Sequence, residues 1–142
     1  ITSLPSTIHH LEFLNSLELE ENQLTVLPNE IKWLPLLEIL QIHDNKLEDL
    51  PAFIGDILSL KELDVQNNSL SKLPESMKNL TNLERLNVGN NSITSLSDAL
   101  CVLNDIKYFN LECNRLDSAS GEVASCFQEL GSQLDDPACG GD

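Results

Sequence analysis

Residues 14–24 read LNSLELEENQL, and the same pattern, LxxLxLxxNxL, returns four more times at intervals of 23 residues. The later copies are LEILQIHDNKL (37–47), LKELDVQNNSL (60–70), LERLNVGNNSI (83–93) and IKYFNLECNRL (106–116). A fixed period of this length is typical of a solenoid, in which each unit packs only against its neighbours. The sequence therefore predicts stacked repeats rather than a single globular core.

The fourth and sixth residues of each copy are apolar and alternate with polar residues, which is the periodicity of a β-strand. These pairs are Leu17/Leu19, Leu40/Ile42, Leu63/Val65, Leu86/Val88 and Phe109/Leu111. Stacking of the units predicts that the strands form a parallel sheet with these side chains in the core. An asparagine follows each strand (Asn22, Asn45, Asn68, Asn91 and Asn114). Its amide is expected to bond the backbone of its own turn and of the next.

The second half of a unit reads LPSTI, LPNEI, LPAFI or LPESM, and its proline fixes φ on the return limb. The predicted organisation is a partial repeat at 1–13, full repeats at 14–36, 37–59, 60–82 and 83–105, and a last strand unit at 106–117. Leu11 is among the residues expected to fill the core. Residues 118–134 are predicted to form a C-terminal capping helix, with a partner-binding amphipathic helix as the alternative. Their apolar residues make one helical stripe: Val123, Cys126, Phe127, Leu130 and Leu134. Residues 135–142 form an acidic tail.

These linked motifs resemble the leucine-rich repeat family across nearly the whole chain. The LPxxI half is most similar to repeats of intracellular signalling scaffolds and of some bacterial repeat proteins. The LxGxIP form of plant receptor kinases is absent. The resemblance implies an α/β solenoid with a curved, short-stranded parallel sheet on its concave face. It also implies a scaffold that binds another protein on that face. The alternative is a structural segment of a larger assembly, with contacts through its edges and convex side.

The residues that alternate with the inward leucines are expected to form the binding face. Their charge is graded along the chain, since Glu18, Glu20 and Glu21 make the first unit acidic whereas Lys107 balances Glu112 in the last. Arginine and tyrosine are common anchors at protein interfaces. A merely solvated acidic face is the alternative interpretation. The candidate partner-binding residues are Glu18, Glu20, Glu21, Ile39, Gln41, His43, Asp44, Glu62, Asp64, Arg85 and Tyr108.

The chain carries 8 basic and 23 acidic residues, a net charge of −15. This balance argues against binding of nucleic acid or an anionic membrane surface, and it favours a partner with a basic surface. No apolar run reaches the length of a transmembrane helix, so no membrane insertion is expected. No phosphate-binding glycine loop, metal-ligand spacing or nucleophile–base grouping is present. We therefore expect neither an enzyme nor a cofactor.

The four cysteines are Cys101, Cys113, Cys126 and Cys139, which allow three pairings. Cys126 is expected on the buried stripe of the capping helix, either as a free thiol or paired with Cys139. The paired-cysteine cap that the resemblance would imply for secreted members is not matched here. The sequence thus favours an intracellular, cytoplasmic location, with secretion as the alternative.

Overall fold

The computed structural model describes residues 1–117, Val123, residues 125–128 and Cys139. Five three-residue strands form one parallel sheet in chain order. They are β1 (Ser16–Glu18), β2 (Ile39–Gln41), β3 (Glu62–Asp64), β4 (Arg85–Asn87) and β5 (Tyr108–Asn110). Leu17 pairs with Leu40, and each later pair is shifted by one unit, ending at Leu86 and Phe109. The predicted solenoid is confirmed.

Five short 3₁₀ helices make the return limbs of the units. They are η1 (Ser6–His10), η2 (Asn29–Trp33), η3 (Ala52–Asp56), η4 (Glu75–Asn79) and η5 (Asp98–Val102). A proline precedes each of the first four in an extended conformation, since its fixed φ and missing N–H suit the position before a helix. Ser97 replaces proline before η5, and its hydroxyl accepts the Ala99 N–H at 3.2 Å.

The core is a continuous column of leucine, isoleucine and valine side chains between the sheet and the helices. Leu40, Leu63 and Leu86 are fully buried, whereas Leu17 at the first strand keeps 8% of its surface exposed. Leu11, predicted to lie in the core, is 49% exposed. That prediction was wrong because no unit of this chain packs on the outer side of η1. Burial therefore increases from the first unit inwards.

The repeated asparagines form a ladder of buried hydrogen bonds. The Nδ2 atom of Asn91 donates to the carbonyl groups of Val88 and Gly89 in its own turn, and to Val65 of the preceding unit at 3.1 Å. Its Oδ1 atom accepts the Leu70 N–H at 2.9 Å. The amide therefore bonds its own unit and the preceding one, not the next one as predicted. The preceding unit leaves its strand beside the asparagine, where its backbone N–H and carbonyl groups are available as partners.

The residue before each ladder asparagine has a positive φ. These residues are Glu21, Asp44, Asn67, Asn90 and Cys113, with φ between 50° and 59°. This left-handed conformation is best tolerated by asparagine and aspartate among residues that carry a Cβ atom. Two of them, Glu21 and Asp44, are among the residues predicted for the binding face. The structure shows that they form the turn at its edge.

Most of the predicted capping helix, and the tail apart from Cys139, lie outside the described residues. Within that segment Val123 and Phe127 are buried, and the Phe127 ring meets Phe109 edge-on at 4.8 Å between centroids. Disulfides join Cys101 to Cys126 and Cys113 to Cys139. The predicted Cys126–Cys139 pairing and the buried free thiol at Cys126, which is exposed, were therefore wrong. Cys101 lies in η5 of the repeat at 83–105, whereas Cys113 follows β5 in the last unit, so the two disulfides attach to adjacent units.

Gly55 allows η3 and η4 to pack closely. A Cβ atom at Gly55 would overlap the backbone carbonyl group of Ser76 and lie 2.7 Å from the Ser76 Cβ atom. We expect Gly55→Ala to lower the free energy of unfolding by about 1–3 kcal/mol, because the two helices must separate. Urea denaturation measures this, with Asp56→Ala at an exposed neighbouring position as the control. Equal stability of the two variants would contradict the close packing.

Candidate functional site

The solvent side of the sheet, called here the concave face, carries rows of side chains that run across the strands. One row contains Ser16, Ile39, Glu62, Arg85 and Tyr108, which are register partners in adjacent strands. The Arg85 guanidinium lies 4.5 Å from the centroid of the Tyr108 ring. Its Nε atom is 3.8 Å from the Glu62 carboxylate. Three predicted site residues, Glu62, Arg85 and Tyr108, are thus brought into one contact chain.

A second row is a hydrogen-bonded ladder over the last three strands. Asn87 Nδ2 donates to Asp64 at 3.0 Å, and Asn110 Nδ2 donates to Asn87 at 3.1 Å. Each of these three residues also accepts the backbone N–H two residues further on, as aspartate and asparagine commonly do in turns. Gly89 leaves space for the ladder, since a Cβ atom there would lie 2.7 Å from the Asn110 amide nitrogen. Asp64, a predicted partner-binding residue, therefore has a structural role.

Sequence reasoning missed this second ladder. Its signal is the run of aspartate or asparagine at the fifth position of three consecutive units. Glu18 and Gln41 hold the same position in the first two units but take no part in the ladder. Gln41 Nε2 instead donates to Glu62 at 3.3 Å. The ladder therefore covers only the C-terminal part of the concave face.

A third row follows the edge of the concave face at the turns. Asn67 Nδ2 donates to Asp44 at 2.8 Å, and Asn90 continues the row to Asn67. His43 Nδ1 lies 2.7 Å from the second oxygen of Asp44. Hydrogen bonds from His43 and then from Asn67 hold the pKa of Asp44 below its ordinary value. Both oxygens of this predicted site residue thus have partners within the chain.

Cross-strand ion pairs neutralise two glutamates of the middle units. The Lys61 ammonium group lies 2.8 Å from Glu38, and Lys107 lies 2.6 Å from Glu84. The hydrogen bond from Lys61 lowers the pKa of Glu38, and Glu38 raises the pKa of Lys61 in return. Lys107 lowers the pKa of Glu84 in the same way. In each pair the cation comes from the unit that follows.

Glu18, Glu20 and Glu21 form a cluster of acidic residues in the first unit of the concave face. Among the described residues, none of the three has a cationic nitrogen within 4.0 Å. Glu18 accepts only the Ser16 hydroxyl, at 3.1 Å. Glu20 Oε2 is enclosed and has no hydrogen-bond partner, which carries a desolvation cost. We call these three residues the acidic end.

The ion pairs predict a small loss of stability in acid. The folded-state pKa values of Glu38 and Glu84 are lowered, so their stabilising effect is present above the unfolded pKa, about 4.3, and is lost as the pH falls through the folded values. We expect the wild type to be slightly more stable than Glu38→Gln/Glu84→Gln at pH 7 and equally stable near pH 2. Urea denaturation at both pH values checks this. High salt should also remove the difference, because these exposed pairs are screened. A difference that survives both treatments would contradict the ion-pair explanation.

A sequence model of the leucine-rich repeat region matches residues 6–136. The chain belongs to the leucine-rich repeat family. Proteins of this family commonly mediate protein–protein interaction, and two similar structures are receptors captured with a bound factor. No curated protein matches this leucine-rich repeat chain.

Solved structures resemble this leucine-rich repeat chain over most of its length. A leucine-rich repeat protein of Leptospira interrogans is 30% identical, with a TM-score of 0.84 over 96% of this chain and 34% of its own. The ectodomain of the Arabidopsis thaliana receptor kinase GASSHO1/SCHENGEN3, in complex with Casparian strip integrity factor 2, is 31% identical with a TM-score of 0.74. It matches 82% of this chain and 14% of its own. A plant peptide hormone receptor in complex with RGF2 is 30% identical, with a TM-score of 0.71 over 82% of this chain and 19% of its own. This chain thus spans about a third or less of these proteins.

Within the described part of this leucine-rich repeat chain, no helix is long and apolar enough to cross a membrane. The same residues contain no group of three or more histidine, cysteine, aspartate or glutamate side chains that could hold a metal ion.

Proposed function

We propose that this leucine-rich repeat chain is a protein-interaction module, not a catalyst, and that its concave face binds a basic surface of another protein. One observation carries the proposal: Glu18, Glu20 and Glu21 lie together with no cationic partner among the described residues, whereas Glu38, Glu62 and Glu84 of the later units each lie within 4.0 Å of a lysine or arginine nitrogen. Like charges held close together cost free energy. A basic partner would remove that cost, and it would be attracted from a distance by the charge.

The remaining concave face supports the proposal by being rigid. The second row, the third row and the ion pairs fix side chains across β2 to β5 in the unbound protein. A surface that is already ordered loses little conformational entropy on binding. The receptors that resemble this chain are themselves in complexes, which is consistent with a binding role for the fold.

A structural segment that makes contacts through its convex side is the second candidate. Trp33 favours it, since this side chain is 55% exposed at the end of η2. Its ring has His9 at its edge, 5.8 Å between centroids, and the Lys32 ammonium group 5.5 Å from its centroid. A large exposed aromatic ring with a cation beside it suits a protein contact.

Site-specific crosslinking distinguishes the two candidates. A photo-reactive amino acid would replace Gln41 on the concave face in one variant and exposed Lys78 on η4 in another. Crosslinked proteins from the native source would be identified by mass spectrometry. We expect a defined partner from position 41 only. Crosslinks obtained only from position 78 would favour the convex side and contradict the proposal.

Charge reversal at the acidic end tests the electrostatic part of the proposal with the partner so identified. We expect the triple variant Glu18→Lys/Glu20→Lys/Glu21→Lys to bind at least about tenfold more weakly, with a flatter dependence on salt. Titration calorimetry measures both. Asp44 is left unchanged because it bonds His43 and Asn67. The control reverses exposed Glu48 and Asp49, which lie outside the strand–turn rows of the face. Unaltered affinity in the triple variant would overturn a basic partner at this end.

A further inference from the structure

A row of exposed apolar side chains lies beside the acidic end. Phe13, Leu36 and Leu58 are 87%, 50% and 57% exposed. They lie in the turns that precede β1, β2 and β3, where Phe13 and Leu36 hold equivalent positions and Leu58 comes one residue earlier in its unit. We call these three residues the apolar rim. The equivalent turns before β4 and β5 carry Thr81, Asn82, Asn104 and Asp105.

The apolar rim and the acidic end border the same part of the concave face from opposite sides. The rim residues lie three or four residues before the first residue of a strand, whereas Glu20 and Glu21 lie two and three residues after the last residue of β1. Ile39 lies between the two borders and is partly buried. The apolar border ends at the polar turns before β4 and β5, and Glu62 and Glu84 have cationic partners. This part of the face therefore combines an apolar border with an anionic one.

The spacing of the apolar rim matches a helix better than an extended segment. Adjacent parallel strands are about 4.8 Å apart, so the three turns recur at roughly this interval. Apolar residues at i, i+3 or i+4, and i+7 of an α-helix recur at about 5.4 Å along its axis. Side chains on one face of an extended segment recur at about 6.7 Å, which falls out of step with the rim. A helix that lies across the strands can therefore place one residue against each turn.

The width of this surface also accommodates one helix. Leu36 and His43 are seven positions apart in the sequence, which corresponds to at most about 23 Å of extended chain. A helix with its side chains is about 10–12 Å in diameter. A helix with its apolar stripe on the rim would thus hold its opposite flank over the acidic end. Lysine and arginine have side chains long enough to reach carboxylates from that flank.

We infer that the N-terminal part of the concave face binds a basic amphipathic helix of the partner protein, with its apolar stripe on Phe13, Leu36 and Leu58 and its basic flank over Glu18, Glu20 and Glu21. This inference rests on the proposed function. It adds the secondary structure of the bound segment, its orientation and an apolar anchor. Charge complementarity selects this occupant, because a second copy of a chain with net charge −15 would bring like charges together.

A synthetic helical peptide tests the inference directly. The probe is a peptide of about 18 residues, roughly five turns, with leucine at i, i+3, i+4 and i+7 and lysine on the other face. One comparison peptide has glutamate in place of lysine. A second has the same composition as the probe, but leucine and lysine alternate along its sequence. Fluorescence anisotropy with the full chain should show binding of the first peptide only. Equal binding of the alternating peptide would overturn the helical occupant.

Protein variants separate the inference from the proposed function. We expect Phe13→Ser/Leu36→Ser/Leu58→Ser to weaken peptide binding at least about tenfold, while Val26→Ser/Val102→Ser, at other exposed apolar positions, has no effect. Circular dichroism checks that the fold is intact. Weaker binding after reversal of the acidic end, but not after the rim changes, would retain the proposed function and overturn the inference. Binding that depends on neither group would overturn both.

The oligomeric state of the protein alone is also measured by sedimentation. A dimer that dissociates when the rim residues are changed would assign the rim to self-association and overturn the inference.

Discussion

Replacing Asn91 by alanine is expected to lower the free energy of unfolding by about 3–5 kcal/mol, since unpaired buried groups each cost about 1–3 kcal/mol. Asn91 is itself buried and makes four hydrogen bonds to backbone groups of two units. Without its amide, the buried Leu70 N–H loses its acceptor. The carbonyl groups of Val65 and Val88 keep only their bonds to Asn68 and Asn114.

Asn22→Ala is the matched control for Asn91→Ala. Asn22 has the same place in the first unit, but among the described residues it bonds only the carbonyl groups of Leu19 and Glu20 and the terminal amino group of Ile1. It is also partly exposed, so water can replace its bonds. We expect a loss of about 1 kcal/mol for Asn22→Ala in the same urea titration. Similar losses of unfolding free energy in the two variants would show that the ladder of buried asparagines does not hold the inner units together.

Breaking the disulfide between Cys101 and Cys126 is expected to cost about 3 kcal/mol, because the bond closes a chain segment of 25 residues and limits the unfolded state. The bond also holds Val123 and Phe127 against the last unit, where Phe127 covers Phe109. The variant Cys101→Ala/Cys126→Ala should therefore unfold at lower urea concentration than the wild type. Hydrogen exchange should accelerate in β5 much more than in β2, since repeat units open from an uncovered end.

Two measurements make the disulfide prediction decisive. Intact mass should show four hydrogen atoms fewer than the reduced chain, two for each disulfide. The variant Cys113→Ala/Cys139→Ala leaves the first disulfide in place and serves as the comparison for exchange at β5. An unchanged mass on reduction would contradict both disulfides, and it would fit the predicted cytoplasmic location. Two intact disulfides would instead fit an oxidising compartment.

The sequence predicted which residues form the candidate site, but it did not predict what each of them does there. The alternation in LELEE places Glu18 and Glu20 opposite the buried leucines, and the structure confirms that geometry. The sequence did not show that Asp64 and Asp44 are hydrogen-bonded within the second and third rows. Their partners in those rows lie in other units, 23 residues away in the sequence. It also did not show the apolar rim. Phe13, Leu36 and Leu58 read as core-like residues until the turns that expose them are known.

The sequence by itself determined the solenoid, the register of its strands and the position of every ladder asparagine. Each of these follows from a 23-residue period that leaves one way to bury the leucines of adjacent units together. The tertiary structure alone decided which carboxylates are paired, which way the asparagine amides point and which cysteines meet. Those outcomes depend on side-chain contacts between units, and distances of a few ångströms across the stack are not encoded in the period. The sequence marked Glu18, Glu20 and Glu21 as an acidic unit, but only the structure shows that no described cation lies within 4.0 Å of them.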